Sequence, residues 1–255
     1  MGEFPLMLGN KRSNLSIPSL DSARRKHFGA VVHLKELITE LEWYFQTDPG
    51  AMVLEPDSST DNPICSFQAK EPVPARFGLI IGDCLQNLRS SLDYLVWELV
   101  LAEGNSPSRD NMFPICTTPE NFEKALKRKR LEGVGVDAKA VIETLQPYSD
   151  TDNKRDDLLV LDELTNCNKH RRVLLTMLGS AVMPGFVPSD TMPEVGNDPI
   201  FRAVKSFGNA QVNAKLGAFM AFDEDIVKNA SVTDWLGTLV KYVGDEIIPK
   251  FIRFF

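Results

Sequence analysis

The chain has 255 residues, 43% hydrophobic and 25% charged, a globular balance that excludes a disordered or fibrous protein. A net charge of -7 disfavours a broad nucleic-acid surface, because phosphate binding depends on clustered Lys and Arg. No apolar run approaches the roughly 20 residues of a bilayer span, and the start, MGEFPLMLGNKRSN, lacks a secretion signal, so a cytoplasmic protein without a membrane partner is expected.

A single helical domain over 1–255 is expected, with 1–18 a flexible N-terminal segment. Over 20–45, Leu20, Ala23, Val31, Leu34, Ile38, Leu41 and Phe45 recur at helical spacing, and Asp48-Pro49-Gly50 stops the pattern. Two short runs, 51–55 and 64–70, separated by Pro56, Asp57, Ser58 and Pro63, predict a small hairpin. Pro72 and Pro74 then introduce the strongest segment, 75–102, where Phe77, Ile81, Leu85, Leu88, Leu92, Leu95 and Leu99 share one face.

Thr117 and Glu120 stand at capping-box spacing and Pro119 suits a first turn, predicting a helix over 119–131 that Gly133 and Gly135 end. Shorter helices are predicted over 137–145, closed by Pro147, and over 156–168, with an extended stretch at 173–177. Residues 183–199, rich in Pro, Gly, Ser and Asp, predict a loop, and alternation over 215–222 predicts a strand. Ser231 with Asp234 starts a last helix through Trp235, Leu239, Val243 and Ile247, which Pro249 bends or ends. The fold class is mainly α: a helical bundle around an antiparallel pair, 20–45 with 75–102, and a minor β element. The broad apolar faces of the long helices predict a homodimer.

The central helix carries an unusual second face. Asp83, Asn87, Ser90, Tyr94 and Trp97 fall in one stripe opposite Leu88 and Leu92, flanked by Arg89 and Asp93 as an i,i+4 pair. Either a ligand lies on that stripe, or the helix is buried on both sides and the stripe is a satisfied polar network. A second cluster runs from Asn166 to Arg172 at a predicted helix end. Its cations suit the helix dipole, or His170 acts as acid or base while Lys169 and Arg171 hold a phosphate beside Arg89 and Asn87.

No metal and no cofactor are expected. Cys65, Cys84, Cys116 and Cys167 form no CxxC pair, Cys167 with His170 lacks two further zinc ligands, and His27 and His33 do not share a helix face. GxGxxG, P-loop, GxSxG and HExxH strings are absent. Basic residues cluster at 24–26 and 127–130 as well, and Trp43, Tyr44 and Phe45 suit a core or a dimer contact.

GDCLQNLRSSLDYLVWELV, followed by the FPI element of Phe113 to Ile115, LQPY of Leu145 to Tyr148 and LDELTNCNKHR ending at Arg171, resembles a widespread group of uncharacterised bacterial proteins. The same segment resembles, more weakly, the HEPN superfamily of helical bundles, whose ribonucleases share an Arg, four to six residues, then a His. That resemblance implies a dimeric, metal-independent ribonuclease of toxin or defence type, or an RNA- or nucleotide-binding protein. Arg89, Tyr94 and His170 would then be catalytic, and Asp83, Asn87, Asp93, Lys169 and Arg171 would bind substrate. Arg89 matches the motif's arginine, but Tyr94 stands where the motif has His, and a phenol with a pKa of ~10 is a poor base near neutral pH. The alternative is a noncatalytic helical dimerisation or interaction protein whose polar cluster is structural.

Overall fold

The structure is a computed structural model that describes residues 17–56, 63–149, 157–170, 173, 175–182, 201–207 and 210–255. The expected loop 183–199, nearly all of the expected flexible start, and Arg171 lie outside the described residues. Helix α1 (Asp21–Gln46) is followed by the antiparallel hairpin β1 (Gly50–Pro56) and β2 (Pro63–Ala69), then by α2 (Ala75–Ala102). Short helices α3 (Pro119–Lys127) and α4 (Val136–Thr144) precede α5 (Asp157–His170). Strands β3 (Leu175–Val182), β4 (Phe201–Phe207) and β5 (Ala210–Phe222) form an antiparallel sheet in the order β3-β5-β4, and α6 (Val232–Lys241) follows. The mainly helical bundle with small antiparallel sheets is therefore as expected.

Helices α1 and α2 form the antiparallel pair. Ala23, Ala30, Leu37, Leu41 and Tyr44 of α1 are buried, and the small Ala side chains let the helices approach closely. Ser91 Oγ donates to the Ala23 carbonyl at 2.9 Å and Cys84 Sγ to the Ala30 carbonyl at 3.4 Å, so helix-interior polar groups are satisfied across the contact. At the other end Tyr44 and Phe77 meet edge to face at 5.3 Å. Buried side chains of α5 and α6, with Ile248 and Phe251, complete one continuous apolar cluster.

Three local expectations need correction. The N-cap of α3 is Thr118, not Thr117: Thr118 Oγ1 accepts from the Asn121 amide at 3.2 Å, because Pro119 at the first helical position requires the cap immediately before it. That helix ends at Lys127 rather than near Gly133. Lys129 has a φ of 64°, and the Lys129 and Arg130 amides donate back to Leu126 and Ala125 in a Schellman closure that needs no glycine. Strand β4 was not foreseen. In the sequence, a Gly-Asn pair between two short alternating runs is a turn signal that could have pointed to it.

Helix α6 starts as expected, with Ser231 Oγ accepting from the Asp234 amide at 3.4 Å. At Tyr242–Ile247 it widens into a π turn, then tightens into a 3-10 segment, Ile248–Phe254, that includes Pro249. His27 of α1 sits over this junction, its Nε2 donating to the Val240 carbonyl at 2.8 Å. The ring leaves no room for a side chain at Gly244, where a Cβ would fall 2.5 Å from it.

Candidate functional site

One turn of α2 carries Arg89 and Asp93, and the structure brings both onto the backbone of the FPI element. Arg89 Nη2 donates to the Phe113 carbonyl at 2.7 Å, and the Phe113 amide donates to Asp93 Oδ1 at 2.9 Å. Arg89 Nη2 also lies 3.3 Å from Asp93 Oδ1, closing a ring around a single residue. The spacing explains it, since positions four apart share a helix face and can grip both polar groups of one residue. Arg89 is buried, and the Phe113 side chain is completely so. Arg89 Nη1 is buried without a hydrogen-bond partner.

The LQPY element closes the other side. Buried Gln146 accepts from the Cys116 amide at 2.9 Å and donates to the carbonyls of Pro114, at 3.0 Å, and Ile142, at 2.9 Å. A loop backbone running through a core needs such partners, because each unpaired buried peptide group costs about 1–3 kcal/mol. Gln146 was missed as a site residue. Its place within LQPY was visible, but no spacing rule connects it to Pro114 or Cys116.

Of the remaining expected residues, Lys169 comes near enough for its charge to act on Asp93, while the outward stripe of α2 lies on another side of the helix from this ring. In the stripe, Asp83, Tyr94 and Trp97 are exposed and Asn87 and Ser90 are half-buried, so α2 is not buried on both sides. Asn87 Nδ2 donates to the Asp83 carbonyl of its own helix at 2.9 Å, and the Asn87 side chain packs against Gly29 of α1. Tyr94, 44% exposed, carries Lys26 Nζ 5.6 Å from its ring centroid, on a different side of α2 from buried Arg89. Lys169 and His170 are exposed at the end of α5. Among the described residues, no hydrogen bond or ion pair joins His170 to Arg89. Arg89 and Asp93 are thus together, while Tyr94 and Asp83 are exposed and Asn87 is half-buried on another side of α2.

No family model, curated protein or solved structure matches this chain.

Burial pushes the Asp93 carboxyl above the ordinary aspartate range, and Arg89, the Phe113 amide, Lys169 and Arg130 pull it back without cancelling the effect. Its negative charge is best held where Arg89 is paired with it. The arrangement grips a peptide group, with Arg89 buried and Asp93 half-buried. Among the described residues no group of three His, Cys, Asp or Glu side chains could hold a metal, and no helix is long and apolar enough to cross a membrane.

Proposed function

We propose that this is a noncatalytic helical interaction protein whose Arg89–Asp93 cluster is architectural. The observation that carries the reading is the closed ring on Phe113: the arginine that would hold a phosphate is buried and already donates to a main-chain carbonyl. The segments that stand out in the sequence, the α2 core, FPI and LQPY, are explained by hydrogen bonds among themselves. What the fold offers outward is a pair of long helices with exposed aromatic side chains, among them Phe28, Trp43, Tyr94 and Trp97. Such side chains are the usual anchors of protein interfaces.

The test is to incubate purified protein with a mixed RNA pool in EDTA and to melt the wild type beside Arg89→Ala. The expected outcome is no cleavage by either protein and a melting temperature lower by roughly 5–10 °C in Arg89→Ala, from a buried ion pair broken on one side. Metal-independent cleavage by the wild type, lost in an Arg89→Ala protein that melts normally, would instead establish the ribonuclease reading.

A further inference from the structure

The outward face of α1 has a regular pattern that the core does not use. Asp21, Arg25, Phe28, Val32, Lys35, Thr39, Glu42 and Gln46 follow one another in alternating steps of four and three, which keeps them on one face of the helix. All eight are exposed, and they lie opposite the buried face of Ala23, Ala30, Leu37 and Leu41. Phe28 and Val32 are 65% and 45% exposed at the middle of this line, and Trp43, also 65% exposed, stands beside its far end. Phe28 and Val32 thus make an apolar centre on an otherwise polar stripe, which the methyl and methylene groups of a facing helix would take out of water.

The charges say which partner. Arg24 and Arg25 precede the apolar centre and Glu42 follows it. Among the described residues neither Arg25 nor Glu42 has an intramolecular ion pair, whereas Glu36 and Glu40 are engaged by Arg76. We propose that α1 pairs antiparallel with α1 of a second copy of this chain across this face. With Val32 opposite Lys35 of the second copy, Phe28 meets Thr39, Arg25 meets Glu42 and Asp21 meets Gln46, each contact made twice by the two-fold symmetry. A parallel pairing would instead set Arg25 against Arg25 and Glu42 against Glu42, so the charge order selects the antiparallel form. Thr39 brings no unsatisfied donor to the seam, since its hydroxyl donates to the Lys35 carbonyl of its own helix at 3.0 Å. A helix of this length gives an interface at the small end of the specific range, so the dimer is reversible and concentration-dependent.

This pairing rests on the reading of the protein as an interaction module, and it names the partner. Sedimentation equilibrium of the whole chain over a concentration series should show the average mass rising from the 28.5 kDa of one chain toward twice that value. Arg25→Glu and Glu42→Arg, both exposed substitutions, should each weaken self-association by roughly tenfold or more, because each sets like charges opposite one another at both ends of the seam. Mixing the two variants should restore association as a heterodimer, since every facing pair is again of opposite sign. A wild type that stays monomeric, a dimer indifferent to both substitutions, or a mixture that fails to recover would overturn the proposal. Incubating the same samples with RNA separates the two ideas: a monomer that leaves RNA intact removes only the seam, whereas cleavage by the wild type removes the interaction reading whatever the mass.

Discussion

Asp93 accepts the amide hydrogen of Phe113 at 2.9 Å, and this contact fixes the loop between α2 and α3 to the middle of the central helix. Because Arg89 holds the carbonyl of the same residue, the two side chains act as a unit. Arg89→Met and Asp93→Ala should each cost about 2–4 kcal/mol, the first by leaving a partly buried carboxylate without its cation. The double variant should cost less than the sum by about 1–3 kcal/mol. Chemical denaturation of the four proteins measures this, and strict additivity would show that the ring is not a unit.

Gln146 supports the same loop from the other side and is 1% exposed. Gln146→Leu keeps the volume but leaves the Cys116 amide and the Pro114 carbonyl unpaired, for an expected loss of about 2–4 kcal/mol. Gln146→Glu should cost as much, because it buries a charge and loses both donated bonds. Equilibrium unfolding in urea checks both, and a loss below about 0.5 kcal/mol, the level of an ordinary surface change, would rule out the assigned role.

These contacts mark where the sequence stops being legible. The span of α2 was readable because Pro72 and Pro74 bound its start and one apolar face runs its whole length. Periodicity gives the angle of each residue about the helix axis but not what covers that angle. The stripe of Asp83, Asn87, Ser90, Tyr94 and Trp97 therefore looked like the informative polar face, whereas the buried polar pair is its flank, Arg89 and Asp93. Their partner comes from a loop about a dozen residues beyond the helix, and no local rule links the two. The β3-β5-β4 sheet was half visible for the same reason: alternation marks a strand, and pairing is a long-range property.

Cys84, packed between α1 and α2, has its thiol pushed up to about 12 by burial, from an ordinary value of 9.0. A thiol whose pKa is raised on folding stabilises the native state fully below pH 9, and that contribution is lost as pH climbs from there toward 12. In this window the unfolded chain releases the proton and the folded chain keeps it, so the loss approaches about 1.4 kcal/mol per pH unit. Urea unfolding of wild type and Cys84→Ala at neutral pH and at about pH 10 should show the wild type losing more, by about 1 kcal/mol. Parallel losses in the two proteins would count against this account. Iodoacetamide should likewise leave Cys84 unlabelled in the folded protein.

The junction of α6 with its π turn depends on a close fit between His27 and Gly244. A Cβ at position 244 would fall 2.5 Å from Cε1 and Nε2 of the ring, so Gly244→Ala must displace His27 and break its bond to the Val240 carbonyl. The expected loss is about 2–3 kcal/mol, in spite of the higher helix propensity of alanine. His27→Ala alone should cost about 1–2 kcal/mol, because Val240 loses a donor. Combining them removes the clash, so the double variant should be more stable than Gly244→Ala alone, which is the reverse of what two independent losses would give. Thermal and urea unfolding of the four proteins decide the point, and a double variant less stable than either single one would show that the ring does not set the width of the π turn.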